Sequence, residues 1–346
     1  MSSVIVIVRI RRGDSLLHGW CPLTLTMKID EVPSAGSAPA APLATPEQLR
    51  AIGAVLRDPA RPLKERFRAL FTLRNLPGAQ SVQLISEAFS DESALLKHEL
   101  AYCLGQMGDR AALPVLTTVL ENTAENPMVR HEAGEAMGAI GDPSALPVLT
   151  RLCSDPTPEV AETCQLAVRR IKWLQDEQSR KERLSENPYA SVDPAPPADE
   201  PSQLSCAQLR ATLLDDSVPL FERYRAMFTL RNRGDAESVT ALADGLRCGS
   251  ALFRHEIAYV LGQVAHPAAT KQLETSLRDQ HESDMVRHEC AEALGAIGTP
   301  ECLQLLSEYG GDQARVVRES VEVALDMCEY EQSAAFQYAD GLTTSS

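Results

Sequence analysis

Apolar positions along this chain recur with the period of an α-helix. From Val129 they fall at Ala133, Met137 and Ile140, that is at i, i+4, i+8 and i+11, which places them on one helical face. Starts and stops agree with that reading. Ser93 and Ser250 are placed to cap helices, Pro127 suits a first helical turn, and Gly138 and Gly141 are read as stops.

The helical pattern repeats at a longer interval. The segment KHELAYCLGQMGD from Lys97 resembles RHEAGEAMGAIGD from Arg130, 33 residues later, and segments carrying Phe67 and Val160 extend the series on either side. A period of this size predicts a helical solenoid, in which each helix pair buries its apolar face only against its neighbours.

A third level is a duplication. PLKERFRALFTLRN from Pro62 matches PLFERYRAMFTLRN from Pro219, and SALLKHELAYCLGQM from Ser93 matches SALFRHEIAYVLGQV from Ser250. MVRHEAGEAMGAIG from Met128 matches MVRHECAEALGAIG from Met285, and all three offsets are 157 residues, so no net insertion separates the copies. The expected fold is all-α: a HEAT-like α-solenoid of eight helical hairpins in two pseudo-symmetric halves of four. The halves are expected at residues 47–177 and 204–335. Between them, residues 178–203 contain ENPYASVDPAPPADEPS, too rich in proline for a helix interior, and are read as a flexible linker. Residues 1–46, ending in the Pro/Ala/Ser stretch PSAGSAPAAPLATP, are read as a disordered or unassigned extension, and 336–346 as a tail. The order of apolar Val4–Val8 before Arg9, Arg11 and Arg12 is opposite to that of a secretory signal, while a targeting role for the extension stays open.

Composition narrows the function classes. The 346 residues are long enough for two or more domains, and only 5% are aromatic, which suits stacked helices better than sheets. A net charge of −15 leaves no basic stripe for nucleic acid and favours a cationic partner. No apolar run approaches the length of a membrane span. Scattered cysteines fit a reducing compartment, and a cytoplasmic setting is expected. The nine cysteines contain no C-x-x-C, and Cys103, Cys164 and Cys290 lie in apolar patterns as core fillers.

Polar chemistry sits on the repeat lattice. His98-Glu99, His131-Glu132, His255-Glu256 and His288-Glu289 are separated by 33 within each half and by 157 between halves. Chance pairing of 7 His and 29 Glu over this length yields fewer than one such dipeptide, and five occur. The fifth, His281-Glu282, has Ala124 at its duplicate position and is read as a loop coincidence; His18 and Cys21, in the extension, are not expected ligands. The i+4 neighbours of the four histidines are Tyr102, Glu135, Tyr259 and Glu292, so this stripe is not an apolar packing face.

Histidines on neighbouring helices about 8–10 Å apart can converge on one ion, and an added carboxylate completes a 2-His-1-carboxylate set of the kind suited to non-haem iron. Two such half-sites, His98 with His131 and His255 with His288, would meet if the halves face each other. The alternatives fail on spacing. A metalloprotease H-E-x-x-H is excluded by Tyr102, Glu135, Tyr259 and Glu292, and a ferritin-type Glu-x-x-His by Leu95, Met128, Leu252 and Met285. Lys97, Arg130, Arg254 and Arg287, each preceding a lattice histidine, are read as salt-bridge partners on an outer face. A non-catalytic HEAT scaffold binding a basic partner on an acidic concave face is the competing reading.

Several long segments carry a specific resemblance. SALLKHELAYCLGQM, NPMVRHEAGEAMGAIGDP, EVAETCQLAVRRIKWLQ, YASVDPAPPA, PLFERYRAMFTLRN, CGSALFRHE and AFQYADGL together are similar to the deoxyhypusine hydroxylase family, over about residues 47–342. That resemblance implies a di-iron monooxygenase that uses O₂ and an external electron donor to hydroxylate deoxyhypusine, a modified lysine of translation initiation factor 5A. It implies His98, His131 and Glu132 as ligands of one iron, and His255, His288 and Glu289 as ligands of the other. Glu99 and Glu256 are implied to face the cationic substrate side chain. A monomer with no nucleic-acid or membrane partner is expected. Residues 1 to about 45 have no counterpart in the resemblance.

Overall fold

In the computed structural model, residues 44–189, 191–198 and 204–332 are described; the N-terminal extension up to residue 43 and the expected tail at 336–346 lie outside them. These residues form sixteen α-helices, with no β-strand among them. The first run pairs α1 (Pro46–Arg57) with α2 (Leu63–Arg74), α3 (Ala79–Ser86) with α4 (Ala94–Met107), α5 (Leu113–Glu121) with α6 (Pro127–Ile140), and α7 (Leu146–Leu152) with α8 (Pro158–Gln175). The second pairs α9 (Cys206–Leu214) with α10 (Leu220–Arg233), α11 (Ala236–Asp244) with α12 (Ala251–Val264), α13 (Thr270–Arg278) with α14 (Asp284–Ile297), and α15 (Pro300–Glu308) with α16 (Arg315–Gln332).

Local sequence accounts for these boundaries. Ser93 and Ser250 accept hydrogen bonds from the backbone N–H groups of Leu96 and Phe253, capping α4 and α12. Pro127 opens α6, where its missing N–H costs nothing, and Gly141 closes it in the left-handed region at φ 73°. Gly138 is not a stop. It lies inside α6, where a Cβ would come 2.8 Å from Ala167 Cβ, so its role is to let α6 and α8 approach closely.

The even-numbered helices form the inner layer. Each packs on the next within its half, α8 packs on α10 and α12, and α16 packs on α2 and α4, so the series closes into a ring. The two closures are related by the 157-residue offset. Ser93 Oγ, at the cap of α4, donates to Glu319 on α16 at 2.7 Å, and Ser250, at the cap of α12, donates to Glu162 on α8. Side chains also cross between the two cores: Leu166 of α8 and Met128 of α6 are buried with the second half, and Val323 of α16, the duplicate of Leu166, with the first.

Where it is described, the segment between the halves is pinned to its neighbours, unlike the flexible linker that its proline content predicts. Gln106 brackets Val192 with two hydrogen bonds, the Arg170 guanidinium donates to the carbonyl of Asp193, and Ala195 is fully buried. Prolines remove backbone donors but do not prevent a chain from being pinned by side chains of its neighbours. Residue 190 and residues 199–203 of this segment lie outside the described residues.

Arg130 and Arg287 likewise depart from the outer-face reading. Both are 2% exposed, and each donates Nε to a carbonyl ten residues earlier, Leu120 and Leu277, while pairing with Asp155 and Asp312. They tie each hairpin turn from inside. Lys97 and Arg254 do form the expected ion pairs, with Glu125 and Glu282. Cys103, Cys164 and Cys290 are fully buried.

Candidate metal centre

Ring closure directs the lattice histidines toward a common point. His98 sits on α4, His131 on α6, His255 on α12 and His288 on α14, at the middle of the inner layer. Their imidazoles cluster with centroids 5.3–5.7 Å apart for the pairs 98–131, 98–255, 98–288, 131–255 and 255–288. All four are buried, His131 and His288 completely.

Carboxylates interleave with the rings. His98 Nε2 stands 3.2 Å from Glu132 Oε2, and its duplicate His255 Nε2 stands 3.4 Å from Glu289 Oε2. Three groups of donor atoms lie close enough to share one ion: His98 with His131 and Glu132, His288 with Glu289 and Glu292, and His98 with His255 and His288. The first is one of the two sets that the resemblance implies; the other, His255 with His288 and Glu289, is not among the three groups. The second places Glu292 beside His288 and Glu289, and the third joins the halves. Glu99 and Glu256 face the same cavity, a narrow space of about 30 Å³ that is also lined by Tyr102, Glu135, Tyr259 and Glu292. Space of that size admits roughly one water-sized group.

These residues fit a metal on two counts. The first is orphaned nitrogen: both ring nitrogens of His131 and of His255, and His288 Nε2, are buried without a hydrogen-bond partner, while His98 Nε2 faces the Glu132 carboxylate. Leaving a buried polar atom unsatisfied costs about 1–3 kcal/mol, so several at one point call for a shared partner. The second is charge. Burial, and then the neighbouring imidazoles, hold His131 and His255 well below the ordinary imidazole value, and burial with His98 does the same to His288. Neutral imidazoles keep the lone pairs that metals bind. Burial would depress His98 too, but the carboxylates of Glu132 and Glu99 outweigh it and hold this ring well above its usual value.

The carboxyls shift the other way. Burial, reinforced by neighbouring carboxylates, pushes Glu256 up to about 8 and Glu289 and Glu135 well above the usual range. Burial also raises Glu99, and takes Glu292 to about 7. A water-poor cluster with this surplus of carboxyls is relieved by cations, whether metal ions or an aminoalkyl side chain.

Two features were not singled out by sequence as site residues. Tyr102 and Tyr259, exact duplicates across the 157-residue offset, meet with hydroxyl oxygens 2.9 Å apart and join the halves at the cavity wall. Glu135 and Glu292 complete its acidic lining. The one signal for all four was their i+4 spacing from the histidines. His281 lies on an exposed loop and belongs to no donor group among the described residues.

Comparison with known proteins gives the same fold and a family. HEAT repeats match residues 81–169 and 239–326. The deoxyhypusine hydroxylase of Danio rerio is 60% identical over 301 residues, 87% of this chain and 98% of that protein. That of Homo sapiens is 60% identical over 300 residues, 87% of this chain and 97% of its own length. The solved structure of human deoxyhypusine hydroxylase in complex with glycerol aligns at TM-score 0.78 and 61% identity, covering 82% of this chain and 97% of that one. Among the described residues no helix is long and apolar enough to cross a membrane. By these identities and coverages, the chain belongs to the deoxyhypusine hydroxylase family of HEAT-repeat monooxygenases.

Proposed function

We propose that this chain hydroxylates the deoxyhypusine side chain of translation initiation factor 5A with O₂, at a pair of irons held between the two halves. His98, His131 and Glu132 would hold one iron and His255, His288 and Glu289 the other. The observation that supports the reading is the cluster of four buried imidazoles, with orphaned nitrogens on His131, His255 and His288, set among carboxylates. When bound, iron supplies the activation of O₂ that amino-acid side chains lack. One oxygen atom enters a C–H bond and the other leaves as water, with two electrons and two protons delivered from an external donor.

The residues of this chain do the rest. Glu99 and Glu256 accept charge-assisted hydrogen bonds from the protonated amines of the substrate and align its carbon chain over the site. The small cavity excludes bulk water, which strengthens those bonds. The net charge of −15 draws in a basic segment of the partner. In this reading the enzyme works as a monomer in the cytoplasm.

Metal analysis after anaerobic purification tests the proposal and is expected to find about two irons per chain, one for each half-site. An active preparation devoid of iron would overturn it. The assignment of roles has its own check: His131→Ala should lose metal, whereas Glu99→Ala should retain metal and lose substrate binding. The reverse pattern would refute the partition.

A further inference from the structure

The duplicated halves are not chemically equivalent behind the imidazoles. In the second half, Ser320 of α16 donates its proton to Glu292 Oε1 at 2.8 Å, and its oxygen stands 3.4 Å from His288 Nδ1. Glu292 Oε1 itself is 3.6 Å from that nitrogen. A hydroxyl that gives its only proton to a carboxylate can only accept from the ring, so Nδ1 carries the hydrogen and Nε2 keeps the lone pair. His288 Nε2 is the nitrogen that is buried without a partner.

In the first half the corresponding residues are His131, Glu135 and Thr163, and the relay is not made. Both nitrogens of His131 and the hydroxyl oxygen of Thr163 are buried and unpartnered. A second difference explains why. Ser320 has one methyl fewer than Thr163, while Ala291 has one more than its duplicate Gly134. The Thr163 methyl lies 3.3 Å from where a Cβ on Gly134 would be, so it fills the space that Ala291 fills in the other half. One methyl has moved between neighbouring helices, and in the first half it holds Thr163 through packing.

Resting on the two-metal reading above, we propose that Glu292 and Ser320 are positioning residues that fix the tautomer and orientation of His288, so that the second half binds its metal more tightly than the first. Partners behind a ligating histidine commonly contribute about 10- to 100-fold in metal affinity. The pseudo-symmetric centre therefore fills in order, the second half first.

Anaerobic calorimetric titration of the full-length metal-free protein with Fe²⁺ tests this. Two binding events separated by about 10- to 100-fold are expected. The tighter should survive His131→Ala and disappear in His288→Ala. Glu292→Gln and Ser320→Ala should weaken the tighter event, and Glu135→Gln should leave it unchanged. The paired substitution Gly134→Ala with Thr163→Ser transplants the relay and should tighten the weaker event, a gain that misfolding does not produce. Two events of equal affinity, or a transplant without effect on a folded protein, would overturn the ordering while leaving the two-metal reading intact. Failure to bind Fe²⁺ at all would refute both.

Discussion

Removing the Asp193 carboxylate should loosen the ring far more than a change in a proline-rich connection ordinarily would. Arg231 is fully buried, and its guanidinium donates to both Asp193 oxygens, Nη1 to Oδ1 at 2.8 Å and Nη2 to Oδ2 at 2.7 Å. It also donates to Gln263 Oε1 at 2.9 Å, which turns the Gln263 amide so that its Nε2 reaches Tyr259 Oη at 3.1 Å. Asp193 is thus tied through two side chains to the tyrosine pair of the cavity wall. Arginine does not shed its charge when isolated, so Asp193→Ala leaves an uncompensated cation in the interior. Breaking a buried pair in this way costs about 3–5 kcal/mol, against about 0–1 for an exposed one. At about 2 °C per kcal/mol for a chain of this size, the melting midpoint should fall by roughly 6–10 °C. Differential scanning calorimetry of the purified variant measures it. The double substitution Asp193→Leu with Arg231→Met should recover most of the loss, because it removes the stranded charge along with its partner. A midpoint within about 2 °C of the parent for Asp193→Ala, the effect of an exposed pair, would show that the segment is loosely held and that Arg231 is solvated.

Three further outcomes are expected. Glu99→Gln and Glu256→Gln should each raise KM by about 10- to 100-fold, the worth of a charge-assisted hydrogen bond, with metal content unchanged; steady-state kinetics beside metal analysis would expose the error if KM stays put while metal is lost. The hydrogen bond from Arg130 holds the Asp155 carboxyl below its usual value of 3.8. Its contribution is therefore present above that value and fades as pH falls through the lower folded-state value, so the stability deficit of Asp155→Asn should shrink between about pH 5 and pH 2. Urea titrations across that range that give a constant deficit would contradict this. Finally, Gly105→Ala would place a Cβ 2.7 Å from Ala136 Cα, a backbone atom that cannot step aside. Overpacking of about 1–3 kcal/mol should outweigh the gain of about 1 kcal/mol in helix propensity, and a variant more stable than the parent by thermal melting would refute the close α4–α6 contact.

Much of the fold was legible because it is written in local periods. The i, i+4 pattern around Val129, the caps at Ser93 and Ser250 and the 157-residue duplication each report on chain that is close in sequence or copied from it. The histidines were legible for the same reason, since a repeat places equivalent side chains on equivalent faces. Misreadings fell where distant chain decides the outcome. Glycine often ends helices, and only the approach of α8 gives Gly138 another purpose. Arg130 and Arg287 are buried only because their partners, Asp155 and Asp312, come from the next hairpin. Prolines around Asp193 suggested flexibility, and nothing in the segment itself announces Arg231 or Gln106.

The sequence by itself therefore determined the helices, their repeat, the two-fold duplication and the residue types that can bind metal. Tertiary structure decided that the ring closes, with α16 on α2 and α8 on α10, and so brought His98 and His255, one from each half, within 6 Å of each other and of both His131 and His288. It also decided that identical His-Glu pairs have unlike surroundings. The physical reason is range. Helix propensity and periodicity act over a few residues, whereas burial, orphaned nitrogens and the placing of a single methyl at Thr163 or Ala291 exist only once remote helices are packed together.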